Sequence, residues 1–327
     1  MTPIRIGFIA AGGIAQRHVR NLLHFEDVRI SAFADPTLER AQEAAERVGA
    51  KAYSSFADML DSEELDALYI CTPPFAHGAP ERAAVERRLP FFVEKPIAID
   101  LETAEEIGAA VQKQALVTAV GYHWRYLDIT DQARERLDRN PPRLVIGYWL
   151  DATPPPSWWV REEGSGGQMV EQTTHIFDLA RLLAGGVIEV FAMGSRTDRL
   201  AFPSSNVCDS SSAVLRFASG AVGSISSTSL LRWPHLIGLH LFSEGLAIEM
   251  TEFELMVDVG QGRPVRQAQG DPFVREDRDF IDAVQGRPNR IRAPYSEALQ
   301  THRLTTAAAR SVREGRSVLV QPEPLHV

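Results

Sequence analysis

From Ile4 to about residue 120, short and nearly continuous apolar runs alternate with stretches whose apolar residues recur every three or four positions. The runs Ile4 to Ile9, Val28 to Ala34, Ala67 to Cys71, Pro90 to Val93 and Leu116 to Val120 predict strands. Helices are predicted over Ile14 to Leu23, Leu38 to Val48 and about residues 79–88 and 101–113. Strands joined by helices of this length form βαβ units around a parallel sheet, and strands apolar throughout are covered on both faces. The expectation for residues 1–122 is a doubly wound α/β domain.

The pattern changes after Tyr122. One helix near 127–138 ends at Pro141-Pro142. Stretches rich in β-branched residues follow at 187–197, 207–218, 221–231, 235–243 and 246–250, separated by turns such as Ser219-Gly220 and Glu244-Gly245. Hairpins of this kind predict a large, mostly antiparallel open sheet. Two helices, around 273–285 and 295–314, and a last strand from Ser317 to Val320 complete an α+β domain over residues 123–327.

Composition narrows the function classes. A chain of 327 residues exceeds one average core, and 44% apolar with 24% charged residues suits globular domains. A net charge of -9 argues against nucleic acid as partner, since duplex binding leans on basic patches. Cys71 and Cys208 lie far apart without CxxC spacing, so neither a disulfide framework nor a thiolate metal site is expected. No apolar window reaches the length of a membrane span, and the first residues lack a secretory pattern. A reducing, cytoplasmic setting without membrane or metal is expected.

Candidate chemistry begins at Ala10-Ala11-Gly12-Gly13-Ile14-Ala15, between the first strand and first helix. A GxGxxG/A turn there lets backbone approach a pyrophosphate, while the helix N-terminus supplies amide donors. Gly12, Gly13, Ile14 and Ala15 are the candidate contacts, and Ala10 replaces the first glycine of the fingerprint. Asp35, 23 residues beyond Gly12, sits where an acid accepts from ribose hydroxyls and repels a 2′-phosphate. NAD is therefore preferred, with NADP possible. Asp35-Pro36 also suits a helix start, and both roles can coexist.

Two further turns follow strands, at Thr72-Pro73-Pro74-Phe75-Ala76-His77 and Glu94-Lys95-Pro96. Ligands of such sheets lie beyond the carboxyl ends of the strands, so Thr72, Pro73, Pro74, His77, Glu94 and Lys95 become cofactor-side candidates. With Gly121-Tyr122-His123-Trp124-Arg125 and Gly166-Gly167-x-x-x-Glu171-x-x-x-His175-x-x-Asp178, the order of motifs resembles the Gfo/Idh/MocA dehydrogenases over nearly the whole chain. That resemblance implies a Rossmann domain joined to a C-terminal domain that binds substrate and whose sheet often mediates homo-dimers or tetramers. It implies that Lys95 contacts the reacting hydroxyl or carbonyl, and that His175 accepts the hydroxyl proton, oriented or tuned by Glu171. A lysine in a closed pocket can stabilise an oxyanion, and imidazole suits a base working near neutrality.

Glu171, His175 and Asp178 fall at i, i+4 and i+7, which predicts one helix face. Glu171 stands where aspartate is commoner in the resembled family, and Thr173 where glycine is usual. The family mostly acts on sugars, inositols and related polyols. Tyr122, Trp124, Arg125, Trp158, Trp159, Gln172 and His175 are the candidate substrate contacts, because aromatic faces beside donors suit a hydroxylated ring. The paired tryptophans after Pro154-Pro155-Pro156 equally suit a packed loop or subunit contact. The leading expectation is hydride transfer between a nicotinamide and a carbinol or carbonyl carbon. The alternatives are a non-catalytic dinucleotide-binding regulator or sensor, and an oxidoreductase that retains its cofactor.

Overall fold

A computed structural model describes residues 3–320. The chain forms two compact units. The first takes in residues 3–98, Glu102–Tyr126 and Asp271–Leu299; the second takes in Ile99–Leu101, Leu127–Gly270 and residues 300–320.

The first unit holds β1 (Ile4–Ile9), α1 (Gly13–Leu22), β2 (Val28–Ala34), α2 (Leu38–Glu46), β3 (Lys51–Tyr53), α3 (Phe56–Ser62), β4 (Ala67–Ile70), α4 (Ala79–Glu86), β5 (Phe91–Val93), α5 (Leu101–Gln114) and β6 (Thr118–Val120). Its six strands are all parallel in the order β3-β2-β1-β4-β5-β6. The chain order reverses direction across β1 and β4, the switch point where such sheets bind ligands. β3 and α3 add to the elements that the apolar pattern predicts.

Register places Phe8 opposite both Phe33 and Tyr69, and Tyr69 opposite Phe92. The four rings make a continuous row across the sheet, with neighbouring centroids 5.0–5.2 Å apart. Offset stacking at this separation adds to the gain from burying large rings. Phe280 stands edge-on to Tyr69 and Phe92, and Phe280 and Ile281 belong to the same core as the row. This explains why residues 271–299 pack with the first unit, although chain order alone assigns everything after residue 122 to the second.

The second unit contains α6 (Asp128–Leu137), β7 (Leu144–Ala152), α7 (Glu162–Ser165), α8 (Gln168–Glu171), α9 (Thr174–Ala184), β8 (Val187–Ser195), β9 (Ser210–Phe217), β10 (Val222–Leu231), β11 (Leu236–Ser243), β12 (Leu246–Met250), β13 (Glu254–Asp258) and β14 (Val265–Gln267). α10 (Pro272–Val284) belongs to the first unit, α11 (Tyr295–Glu314) starts in it, and β15 (Val318–Leu319) closes the second. The nine-stranded sheet runs β14-β13-β12-β11-β7-β10-β9-β8-β15 and is antiparallel except where β7 pairs with β10. A Cβ at Gly147 of β7 would lie 2.6 Å from Ile176 of α9, so that glycine lets the helix press against the sheet. The single helix predicted from Glu171 to Asp178 is instead two. Thr173 N–H bonds the Gln168 carbonyl five residues back, His175 N–H bonds Gln172 three back, and the regular ladder breaks between α8 and α9.

Candidate functional site

The β1–α1 turn combines open space with free donors. Gly12 is the N-cap residue of α1 and offers no side-chain cap, and neither Gly12 nor Gly13 would bring a Cβ within 4 Å of protein atoms. Internal packing therefore does not require these glycines, and the space beside them is open to a close ligand. The uncapped first-turn amides and the helix dipole suit a dinucleotide pyrophosphate, so the residues present fit NAD. Ala10 occupies the left-handed region at φ 70°, which explains why a glycine is the usual residue there.

Asp35 is buried at the end of β2, and its two oxygens accept from the Ala11 and Thr37 amides at 3.0 and 2.9 Å. A carboxylate has about four acceptor sites, so each oxygen retains capacity for a ribose hydroxyl. Thr37, not Asp35, is the N-cap residue of α2.

Beyond β4, Pro74–Ala76 form a 3-10 turn that delivers His77 to Glu81. Glu81 is fully buried, takes His77 Nδ1–H at 2.6 Å and caps α4 through the Gly78 amide at 2.6 Å. Thr72 Oγ1 lies 3.4 Å from His77 Nδ1. His77 Nε2 is buried with no partner among the described residues.

The turn after β5 is held from beneath. The Lys95–Pro96 bond is cis. Glu94 Oε2 accepts from the Lys95 backbone N–H at 3.1 Å, and Glu94 Oε1 lies 3.1 Å from His18 Nε2. The opposite ring nitrogen, His18 Nδ1, lies 2.7 Å from Asp277 Oδ1. Asp277 also accepts from Asn21 Nδ2 at 2.8 Å and Tyr69 OH at 3.1 Å. A Cβ at Gly121 would come within 2.5 Å of Glu94 Oε1, so only glycine leaves room for this carboxylate. Burial opposes charge on His18, yet Asp277 and then Glu94 outweigh it and hold the imidazole protonated well above its usual range. The sign follows: this raised value stabilises the fold fully below about pH 6.5, and the contribution fades as pH climbs through it. Beside them Glu276 is buried with both oxygens unpartnered among the described residues. Burial, against the opposing charge of His18, pushes its carboxyl well above the usual range.

Tyr122, Trp124 and Arg125 follow β6 and are each at most 3% exposed. Arg125 Nη1 donates to the Arg292 carbonyl and Arg292 Nη1 to the Arg125 carbonyl, both at 2.8 Å. This exchange anchors the turn to the segment before α11.

In the second unit, Glu171 Oε2 accepts from Trp159 Nε1 at 2.6 Å. Trp159 packs with Val160 and Val207, flanked by Trp158 and Phe202. Gln172 Oε1 accepts from Gln168 Nε2 at 3.2 Å. His175 is 5% exposed at the start of α9, with its ring stacked 5.8 Å from Trp149. Asp178 accepts from Thr301 Oγ1 at 2.7 Å and Arg181 donates to the same hydroxyl, tying α9 to α11.

The sequence profile of an oxidoreductase family with an NAD-binding Rossmann fold matches residues 4–122. The GFO/IDH/MocA C-terminal domain profile matches residues 141–246. The chain belongs to the Gfo/Idh/MocA oxidoreductases. Myo-inositol 2-dehydrogenase of Thermotoga maritima is 27% identical over 97% of this chain and 99% of its own. An uncharacterised oxidoreductase of Bacillus subtilis is 26% identical over 96% of each chain. Among solved structures, a probable dehydrogenase from Thermotoga maritima aligns with TM-score 0.81 at 26% identity, covering 97% of this chain and 99% of that one. Levoglucosan dehydrogenase with NADH shares the fold at TM-score 0.86 and 22% identity, over 98% and 100% of the two chains.

Within this Gfo/Idh/MocA member, Glu94 has a partner that the motifs do not include, His18, which is in turn held by Asp277 together with Asn21 and Tyr69. The signal was present. His18 falls on the face of α1 that buries Ala15, Val19 and Leu22, and Asp277 falls on the face of α10 that buries Phe280 and Ile281. An ionisable residue in an apolar stripe predicts a buried partner, though not its identity.

Ala10→Gly relieves the left-handed conformation at the cost of a freer unfolded chain, and a net stabilisation of about 1 kcal/mol is expected. Thermal or denaturant unfolding checks it, and a lowered midpoint would contradict the strain assigned to Ala10.

Proposed function

We infer that this chain is an NAD-dependent dehydrogenase that transfers a hydride between the nicotinamide and a carbinol or carbonyl carbon of a sugar, inositol or related polyol. The observation that carries the inference is Lys95, at the carboxyl end of β5 in an NAD-binding unit, with its backbone fixed through Glu94. The full-length relatives support the substrate class, since they include myo-inositol 2-dehydrogenase.

Bound NAD supplies the hydride acceptor for alcohol oxidation. Gly12, Gly13, Ile14 and Ala15 hold the pyrophosphate, Asp35 the adenosine ribose, and Thr72, Pro73, Pro74, His77, Glu94 and Lys95 border the rest of the cofactor. Oxidising a carbinol also releases the hydroxyl proton. Lys95 stabilises the developing alkoxide charge, and His175 takes the proton. Glu171 orients and tunes His175, and the joint between α8 and α9 sets where the imidazole begins its helix. Tyr122, Trp124, Arg125, Trp158, Trp159 and Gln172 make up the substrate surroundings. In this scheme residues 1–122, with residues 271–299 packed into the same unit, form the cofactor domain, the rest of residues 123–327 bind substrate and mediate assembly, and the enzyme works in the cytoplasm.

Assembly is assigned to the outer face of the nine-stranded sheet. Leu144, Ile146, Phe191, Met193, Val214 and Val222 are 36–66% exposed on that face. Exposed apolar side chains of neighbouring strands suit a second copy of the chain.

Three outcomes are expected. NADH should enhance its fluorescence on binding and bind at least about tenfold more tightly than NADPH, by the repulsion between Asp35 and a 2′-phosphate; tighter NADPH would sink the Asp35 role. In a screen of sugars, inositols and sugar acids for NAD reduction, Lys95→Ala and His175→Ala should each lower kcat by roughly 10²–10⁴, and the double variant by little more, because groups that act as a unit are non-additive. A Lys95→Ala enzyme with wild-type kcat would remove it from the chemistry. Light scattering should give a dimer or tetramer that dissociates in Met193→Glu/Val214→Glu, and a monomeric wild type overturns the assembly face.

A further inference from the structure

His18 is fully buried, and each ring nitrogen faces a carboxylate oxygen. The other polar contacts of the two acids all come from donors. Asn21 and Tyr69 donate to Asp277, and the Lys95 amide donates to Glu94. A carboxylate can only accept, so both imidazole nitrogens must donate, which is the hydrogen-bonding state of the imidazolium. A neutral ring would set one lone pair against a carboxylate in a dry interior. The arrangement is therefore a chain of fixed charges that runs from α10 through α1 to the backbone of Lys95.

We propose that His18, held charged by Asp277, is a positioning residue for the reaction: it fixes the Glu94 carboxylate, which fixes the direction in which Lys95 leaves the turn. The inference rests on the assignment of Lys95 to the reaction centre. His18 does not touch the reacting atoms. Its ring lies over the aromatic row, 4.7 Å from Phe92 and 5.2 Å from Tyr69, so it cannot follow Glu94 if that carboxylate swings. On the opposite side Gly121 leaves the space that the carboxylate fills, because any Cβ there would occupy its place. Glu94 is thus held between the His18 ring and the Lys95 amide, in space that Gly121 leaves open.

The device carries a pH dependence whose sign is fixed. The ionisable groups that face His18 are Glu94 after β5, Glu276 and Asp277 on α10 and Tyr69 of β4; behind them lie Cys71, Lys95, Asp271 at the N-cap of α10 with its partner Arg17 of α1, and His123, stacked on the Phe273 ring that borders His18. Loss of the His18 proton at high pH leaves Glu94 and Asp277 facing each other uncompensated. Activity then falls on the alkaline side while the rest of the Rossmann unit stays folded.

The test uses the full chain, with NADH and the polyol that reduces NAD in the screen as probes. His18→Gln is expected to lower kcat about tenfold or more, since small misplacement of a reacting group is enough, while NADH affinity stays within about threefold. Hydrogen exchange at the Lys95 amide should accelerate about tenfold in the same variant. Asp277→Asn should move the alkaline limb of kcat toward neutrality by about one pH unit or more. A role confined to folding would lower the melting point and leave that limb in place. Wild-type kcat with unchanged Lys95 exchange in folded His18→Gln overturns the proposal. If the variants do not fold, nitrogen resonances of the wild-type imidazole decide: His18 must remain protonated at pH 8, and titration in the ordinary range overturns the proposal. An inactive Lys95→Ala beside a fully active His18→Gln defeats this inference alone, whereas an active Lys95→Ala defeats the Lys95 assignment as well.

Discussion

Taking an imidazolium and two carboxylates out of water carries a desolvation penalty of several kcal/mol per ion, and removal of one partner leaves an uncompensated buried charge. The first unit meets that constraint with His18, Glu94 and Asp277, and much of its architecture follows. The ring needs an apolar floor, which the stacked row of Phe33, Phe8, Tyr69 and Phe92 provides. Asp277 needs more donors than His18 alone, and Asn21 and Tyr69 supply them. Glu94 needs space, which Gly121 leaves. Asp277 itself reaches this place only because α10 docks on the row through Phe280 and Ile281, after more than a hundred residues spent in the other unit.

The same economy governs the dinucleotide turn. Asp35 ties the end of β2 to the Ala11 amide and to Thr37, so the acid proposed to read the ribose also sets the shape of the phosphate turn. Its structural and binding roles are one arrangement of two oxygens. Ala10 holds a left-handed conformation in the same turn, a local strain beside the amides proposed to meet the pyrophosphate.

In the second unit a break in a helix does comparable work. The α8–α9 joint directs Glu171 to the Trp159 indole and leaves His175 in the first turn of α9, against Trp149. Thr173 is fully buried at that joint with helical dihedrals, so the missing glycine demands no unusual backbone there. Asp178 faces away to Thr301, and its part is to bind α9 to α11.

Apolar runs and their spacing were enough to determine the alternation of strands and helices, the parallel sheet, the hairpins of the second sheet and the places of the glycine turn, Asp35 and Lys95. These features are local or repeat at the period of the element. β3 is three residues long and partly exposed, too short for a period to register. β7 carries Leu144 and Ile146 outward as well as Val145 inward, which hides its alternation. The helix joint at 172–173 escaped because side-chain periodicity does not register a hydrogen bond that skips to the fifth residue. His18 and Asp277 stood in apolar stripes that marked them as buried, but they are 259 residues apart, and no local pattern pairs groups at that distance. The sequence by itself marked the candidate side chains for the chemistry; only the tertiary structure decided which buried groups lie beneath Glu94 and Lys95, because that depends on where a distant helix comes to rest.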